Sequence, residues 1–385
     1  MKDLREMSVQ SGMPVLVRAA LNVPLENGIV ANDYRLRRAL ATIQYLRARS
    51  AKIILISHIG EKGTETLRPV ADSLRMLLGN VSFCDTTIGA AAREAIRTLP
   101  AGGVLVLENL RRDKGETAND AQFAKELSLL ADAFVQDSFD TCHRLHASIV
   151  GVPSLLPSYA GMLLGEEVAA LSKALAPEHP SLAVIGGAKF ATKESVLASL
   201  VRAYDTVYVG GALANDFLKA SGREVGASFV SGAPPEDVVA LMKERHLMLP
   251  HDFIVIPKEV AGAPDARLRA RVRSSEDIQP DEIILDIGPV SAARLAKLAA
   301  QAKTVLWNGP LGNYEHGFTD ATNALAEAIA ASSTQSFIGG GDTVAAIETL
   351  GIVSRFSFVS TGGGAMLDFL AYGTLPGIDA LARSH

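Results

Sequence analysis

Val184-Ile185-Gly186-Gly187-Ala188-Lys189-Phe190-Ala191-Thr192-Lys193 is the stretch whose reading decides the rest of the chain. The apolar run Ser181-Leu182-Ala183-Val184-Ile185 has strand character, two glycines follow, and a helical pattern continues through Val196, Leu197 and Leu200. This is a strand, a tight turn and a helix start. The glycines permit a backbone approach that a Cβ would block, and Lys189 and Lys193, four residues apart, are expected on one face of the first helical turns. Two cations beside a helix N-terminus favour an anion there, whereas a solvated lysine pair on a surface helix would carry no chemistry. The rest of the chain separates these readings.

A chain of 385 residues is too long for one ordinary core and points to two domains of nearly 200 residues each. Its 48% hydrophobic and 21% charged residues are those of a well-packed globular protein. A net charge of -5 without a long basic run argues against nucleic-acid binding, so an anionic ligand must be held locally. Cys84 and Cys142 lie far apart and lack metal-ligand spacing, which fits a reducing setting. With no apolar leader at the N-terminus and no apolar run of spanning length, the expectation is a soluble cytoplasmic protein with no membrane partner.

From Pro14 to about Asp137, strand-like and helix-like segments alternate. Pro14–Arg18, Ile53–Ile56, Val81–Cys84, Val104–Leu107 and Ala133–Val135 read as strands. Leu36, Ala39, Leu40, Ile43 and Leu46 form a helical stripe; Pro69 and Gly79 bracket a second helix, and two more surround Ala91 to Leu99 and Asp120 to Leu130. Apolar strands separated by amphipathic helices predict a parallel sheet covered on both faces. Prolines and glycines interrupt the alternation around Gly151 to Pro157, and Ala160 to Leu175 then reads as one helix. A second α/β series follows, with strands at Leu182–Ile185, Thr206–Val209, Phe253–Ile256, Ile283–Leu285, Thr304–Trp307, Ser336–Ile338 and Phe356–Val359. The charged piece from Glu259 to Pro280 reads as loop or edge ribbon.

Ligands of open parallel sheets bind at the carboxyl ends of strands. In the second half those ends carry Gly186-Gly187, Gly210-Gly211, Asn308-Gly309-Pro310, Gly339-Gly340-Gly341-Asp342 and Gly362-Gly363-Gly364, the last two each opening a helix. Their N–H groups can form a nest for phosphate oxygens. Neither GxxxxGK[ST] nor GxGxxG occurs, so the pattern is that of neither a P-loop enzyme nor an ordinary dinucleotide binder. In the first half the corresponding ends carry Arg18, Asn22, Arg35, His58, Arg111 and the run His143-Arg144-Leu145-His146. Singly each suits a capped or solvated side chain; together they suit one basic cleft for a small phosphorylated or carboxylated substrate.

With these segments in order, the sequence resembles the phosphoglycerate kinase family over almost its whole length. The matching runs are Arg18 to Pro24, Ser57-His58-Ile59-Gly60, Leu107 to Arg111, His143 to His146, Gly186 to Lys189, Trp307 to Pro310, Gly339 to Thr343, Ser360 to Ala365 and Leu375-Pro376-Gly377. The resemblance implies two Rossmann-like α/β domains: residues 1–159 for the acidic substrate and 177–362 for Mg-nucleotide. A connecting helix over 160–176 and a tail over 363–385 that packs back on the first domain complete the expected layout. Closure about that helix would bring the substrates together.

By position, Lys189 would steady the moving phosphoryl group, Arg35 would stabilise it from the acid domain, and Gly340 and Gly363 would complete the catalytic set. Asn22, Arg35, His58, Arg111, His143, Arg144 and His146 resemble the acid-binding residues. Gly187, Lys193, Gly211, Asn308, Pro310, Glu315, Gly341, Asp342 and Thr343 resemble the nucleotide contacts, with Asp342 the Mg²⁺ ligand. These types suit phosphoryl transfer, which needs in-line positioning and charge neutralisation more than covalent help.

Departures gather on the acid side. Ala20 stands where the family has an aspartate and Glu61 where it has an arginine. Gln136, Ser138, Asp140 and Cys142 alter the Asn-Asp-Ala-Phe-Gly-Thr-Ala-His run, Asp140 replacing a glycine. The expected activity is reversible transfer between 1,3-bisphosphoglycerate with ADP and 3-phosphoglycerate with ATP, by a monomer. A related kinase for another small acid, and a nucleotide-binding paralogue with little turnover, are the alternatives that Ala20 and Glu61 leave open.

Overall fold

The structure, a computed structural model, describes residues 1–263 and 265–384. The chain divides into two compact units: the first runs from Met1 to Ala169 and takes up the chain again from Thr374, and the second runs from Ala170 to Gly373.

Six strands make the sheet of the first unit: β1 Pro14–Ala19, β2 Lys52–Ile56, β3 Val81–Cys84, β4 Val104–Leu107, β5 Ala133–Asp137 and β6 Ser158–Ala160. They lie in the order β3-β4-β2-β1-β5-β6, every pair parallel. The continuous apolar runs follow from this burial: all four residues of β4 and all five of β5 are buried. Leu36, Ala39, Ile43 and Leu46 of the helix Tyr34–Arg47 pack on the sheet. The helix Arg68–Leu78 has a proline in its first turn and stops at Gly79, whose φ of 84° suits glycine.

One strand of this sheet is absent from the sequence reading. Ser158–Ala160 pairs with Phe134, Val135 and Gln136 of β5, so Ala160 ends a strand, and the helix begins only at Met162. Three residues between Pro157 and Gly161 are too few to show a period. The helix Pro376–Arg383 belongs to the first unit, where the Gly377 N–H donates to the Cys142 carbonyl at 2.8 Å.

The second unit is built on β7 Ser181–Ile185, β8 Thr206–Val209, β9 Leu247–Met248, β13 Thr304–Asn308, β14 Gln335–Gly339 and β15 Phe358–Val359. These form a parallel sheet in the order β9-β8-β7-β13-β14-β15. The chain first winds from β7 toward β9 and then resumes at β13 on the other side of β7. The carboxyl ends of β7 and β13 therefore flank the point where the winding direction reverses.

Two segments expected in this parallel series lie elsewhere. β10 Asp252–Pro257, β11 Arg271–Ser274 and β12 Glu282–Ile287 form a separate antiparallel sheet in the order β11-β10-β12. No crossover helix separates them, only short 3₁₀ turns, and strands so connected pair antiparallel. The ambiguous piece Glu259 to Pro280 supplies the edge strand β11. None of the described helices is long and apolar enough to cross a membrane. Cys84 and Cys142 are buried free thiols.

Candidate active site

In the first unit the parallel register brings the carboxyl ends of β1, β2, β4 and β5 to one edge. Arg18, the penultimate residue of β1, is only 1% exposed, and each nitrogen of its guanidinium has a partner. Its Nε donates to Ser148 Oγ (3.1 Å), one terminal nitrogen to the Ala19 carbonyl and Ser57 Oγ, and the other to His58 Nδ1 (3.0 Å). A guanidinium only donates, so His58 Nδ1 accepts and its proton sits on Nε2. Burial, then the positive fields of Arg18, Arg111, Arg144 and Arg35, drive the His58 pKa far down and keep the ring neutral.

Arg111 donates to the Gly60 carbonyl at 2.6 Å, and the Asn22 amide oxygen accepts from Gly60 N at 3.1 Å, so three strand-end loops are tied together. Burial and then Arg144 and Arg18 lower the Arg111 pKa. Burial and then Arg144 also bring His146 down to about 4, leaving it neutral at pH 7. Arg35, in the first turn of its helix, donates to the Asn22 carbonyl at 2.7 Å. Arg18, Arg35, His58, Arg111, Arg144 and His146 thus feel one another electrostatically. His143 stands next to Arg144, half-buried.

The carboxylate of Glu116 is completely buried against Ser148, accepting from its N–H (3.0 Å) and its hydroxyl (2.6 Å). Asn109 also ties the strand-end loops, its Oδ1 accepting from Ile59 N at 3.3 Å and Arg111 N at 3.1 Å. Ser57, Ser148, Glu116 and Asn109 are supports to which the sequence reading gave no role. Ser57 and Asn109 lie in the matching runs but no role was attached to them, and for Ser148 and Glu116 the partners that matter are separated by tens of residues. Ala20 is buried, whereas Glu61 is exposed and acts on Arg111 through its charge.

In the second unit the glycine turns are stitched together by backbone hydrogen bonds at the β7–β13 switch point. Gly186 N donates to the Asn308 carbonyl (2.9 Å), Gly187 N to Pro310 (3.1 Å) and Gly211 N to Leu311 (3.2 Å). A Cβ on Gly186 would run into the Pro310 carbonyl oxygen, and one on Gly211 would lie 2.7 Å from Gly187 N. Glycine is therefore required at both by the approach of backbone to backbone.

The two lysines do not share a helical face. After Gly187 the chain makes a 3₁₀ turn, Phe190–Thr192, and the helix starts only at Glu194. The extra turn leaves the two in different surroundings: Lys189 is exposed and Lys193 is 8% exposed. Lys193 passes beside Gly187 and donates from Nζ to Asn308 Oδ1 at 3.3 Å. Burial lowers its pKa to about 8 against the opposing pull of Asp342.

Gly340 immediately precedes the helix Gly341–Thr349 and Gly363 the helix Gly364–Tyr372. Gly341 and Asp342 are exposed at the first of these N-termini. Thr343 is buried and its Oγ1 accepts from Gly309 N at 2.8 Å, locking that helix to the end of β13.

Beside this edge lies a cavity of about 410 Å³. Gly187, Gly211, Pro310, Glu315 and Asp342 line it, while Lys189, Lys193, Asn308, Gly340, Gly341, Thr343 and Gly363 do not. Its apolar wall comes from Phe253, Ile283, Ile284, Leu285 and Ile287 of the antiparallel sheet, together with Phe229 and Leu311, with the buried carboxyl of Asp286 among them. The sequence reading missed this wall, because it placed those strands in the parallel series. Such a volume, largely apolar with a few polar groups in its lining, suits a flat aromatic ring whose anionic tail runs along the glycine turns.

Among the described residues no group of three or more His, Cys, Asp or Glu side chains could hold a metal alone. The exposed carboxylate of Asp342 fits a hard cation that takes its remaining oxygens from phosphate and water.

The sequence profile of the family described as phosphoglycerate kinase matches residues 4–372. A phosphoglycerate kinase of Herpetosiphon aurantiacus is 43% identical over 385 residues, covering 96% of both chains, and one of Dictyoglomus turgidum is 41% identical over 392 residues, covering 98% of both. Among solved structures, phosphoglycerate kinase from Coxiella burnetii superposes with a TM-score of 0.85 at 38% identity. The enzyme from Pyrococcus horikoshii does so with 0.88 at 29%. Each alignment covers 100% of this chain and 99% of the other.

Proposed function

This chain belongs to the phosphoglycerate kinase family, and from that premise we propose how its residues divide the labour of phosphoryl transfer between ATP and a carboxylate. The chain is a phosphotransferase with a carboxyl group as acceptor, exchanging a phosphoryl group between 1,3-bisphosphoglycerate with ADP and 3-phosphoglycerate with ATP. The observation that carries the division of labour is the stitched glycine edge at the β7–β13 switch point, with buried Lys193 beside it and the apolar cavity alongside.

The base enters the cavity against Gly187, Gly211 and Pro310, and Glu315 at the exposed rim takes the ribose hydroxyls. Lys193 and Asn308, with Gly341 and Thr343 at a helix N-terminus, take the phosphates. Lys189 is exposed and so able to follow the phosphoryl group, whose charge it neutralises together with N–H groups around Gly340 and Gly363. Asp342 holds Mg²⁺, which when bound supplies charge neutralisation of the phosphate oxygens.

On the acid side, Arg35, Arg111 and Arg144 supply positive charge, with Asn22, His143, His146 and the Nε2–H of neutral His58 as hydrogen-bonding partners. Arg18 serves as the group that fixes the His58 tautomer. Residues 1–159 carry the acid-binding role and 177–362 the nucleotide-binding role; the helix between them is Met162–Leu175 rather than 160–176, and the segment that rejoins the first unit starts at Thr374 rather than at 363. The accompanying reading is a cytoplasmic monomer, consistent with two free, buried thiols.

The test is a coupled assay of MgATP consumption with and without 3-phosphoglycerate, beside calorimetric titration of the full chain with MgADP. Consumption that depends on the acid, and saturable nucleotide binding lost in Asn308→Ala, are expected. Binding unaffected by that change would remove the glycine edge from the nucleotide site.

A further inference from the structure

In the basic edge of the first unit, the carboxylate of Asp140 stands against Arg35. Asp140 lies in the one-turn 3₁₀ helix Phe139–Thr141 that follows β5. Because β5 is registered against β1 with Ala19 opposite Asp137, this turn stands beside the segment Ala20 to Asn22. The side chain is 7% exposed, and its Oδ2 lies 3.5 Å from a terminal nitrogen of Arg35. The other oxygen accepts from Ser138 Oγ at 2.5 Å, and Ser138 is held in turn, its N–H donating to Gln136 Oε1 and its Oγ accepting from Thr141. A carboxylate tied into such a chain keeps its place rather than swinging into solvent.

Its pairing with Arg35 is looser. A charge-assisted N–H···O bond closes to about 2.7–2.9 Å, so a contact at 3.5 Å gives way to a ligand that pairs more tightly. Arg35 keeps 29% of its side chain exposed, enough to receive such a ligand. Glu116, by contrast, is committed to Ser148 and lies out of reach of incoming groups.

We propose that Asp140 is a resident counter-ion of Arg35 that competes with the acidic substrate and sets how much negative charge the acid site accepts. This rests on the placement of the acid at the basic edge. The fixed carboxylate cancels one positive charge at the point of entry and repels a multiply charged acid more than a singly charged one. The site is tuned toward weak binding of polyanionic acids, with the discrimination residing in Asp140 rather than in any missing arginine.

The test measures calorimetric dissociation constants of 3-phosphoglycerate and of glycerate, at low and high salt, for the full chain and for Asp140→Asn, Asp140→Glu and Asp140→Ser. Asp140→Asn retains an oxygen that accepts from Ser138, and Asp140→Ser serves if it does not fold. Loss of the charge should tighten 3-phosphoglycerate by roughly tenfold at low salt, with a smaller gain for glycerate and a reduced gain at high salt. Asp140→Glu should stay near the wild type, and MgADP affinity should not change. An unchanged or weakened affinity for 3-phosphoglycerate in both neutral variants, or equal gains for the two acids, overturns the proposal. Because the readout is binding, absence of turnover with every acid would sink the kinase reading while leaving this result standing.

Discussion

Replacing Lys193 with methionine should make the fold more stable and nucleotide binding weaker, and the structure sets both magnitudes. The ammonium is 8% exposed and has one hydrogen-bond partner, Asn308 Oδ1 at 3.3 Å. Burial brings its pKa from 10.5 to about 8, equivalent to a cost of about 3 kcal/mol for keeping the charge at neutral pH. Methionine fills a similar volume without that cost but orphans the Asn308 oxygen, which takes back about 1 kcal/mol. The net gain, about 2 kcal/mol, is readable as a higher urea midpoint at pH 7.

The sign with pH follows. A lysine whose folded pKa lies below its unfolded value makes the native state bind fewer protons, so wild-type stability rises from pH 8 to about 10.5 and the variant lacks this rise. Polyphosphate binding selects the protonated form and pulls the pKa back up. Wild-type affinity for nucleotide should therefore fall by about 30-fold between pH 7 and 9.5 if the bound pKa returns to its ordinary value, and the variant's weaker affinity should be flat. Calorimetric titration across this range is the assay. A variant that is less stable, or binds nucleotide as tightly and with the same pH profile as the wild type, refutes the reasoning.

Three further outcomes can be checked separately. Lys189→Ala, at an exposed position, should lower turnover at least about a hundredfold with little change in nucleotide affinity; near-normal turnover would make Lys189 an ordinary solvated side chain. Gly186→Ala forces a Cβ into the Pro310 carbonyl and should cost a few kcal/mol while weakening nucleotide binding, so wild-type denaturation and binding would contradict the stitched edge. Asp137, 1% exposed, accepts from Leu163 N at 2.9 Å at the start of the connecting helix, and burial raises its pKa to about 7. Because that folded value lies above the unfolded one, its contribution is fully present below about pH 4 and is lost as pH rises to about 7. Asp137→Asn should remove this slope, on the order of a few kcal/mol, in urea unfolding at pH 5 and 7.5.

The alternation of apolar strands with amphipathic helices, and the glycines at the strand ends, are local properties, and the sequence by itself determined from them the α/β class and the strand ends at which the glycine turns sit. Continuous runs such as Val104–Leu107 announce burial on both faces, and pairs such as Gly186-Gly187 announce a backbone approach, because each signal resides in neighbouring residues. The family resemblance carried residue roles onto Lys189, Lys193 and Asp342 for the same reason: the motifs are contiguous.

What the tertiary structure alone decided depends on pairs far apart in the chain. The antiparallel sheet that walls the cavity carries the same apolar signal as a parallel strand, and only its connections reveal its direction. The separation of Lys189 from Lys193 turns on one 3₁₀ turn that a helical period cannot foresee. The tautomer of His58 depends on Arg18, forty residues away in sequence, and the Asp140 carboxylate finds Arg35 across a gap of more than a hundred residues. Burial and counter-charge fix the working state of such side chains, and both are set only when distant strand ends meet at one edge of the sheet.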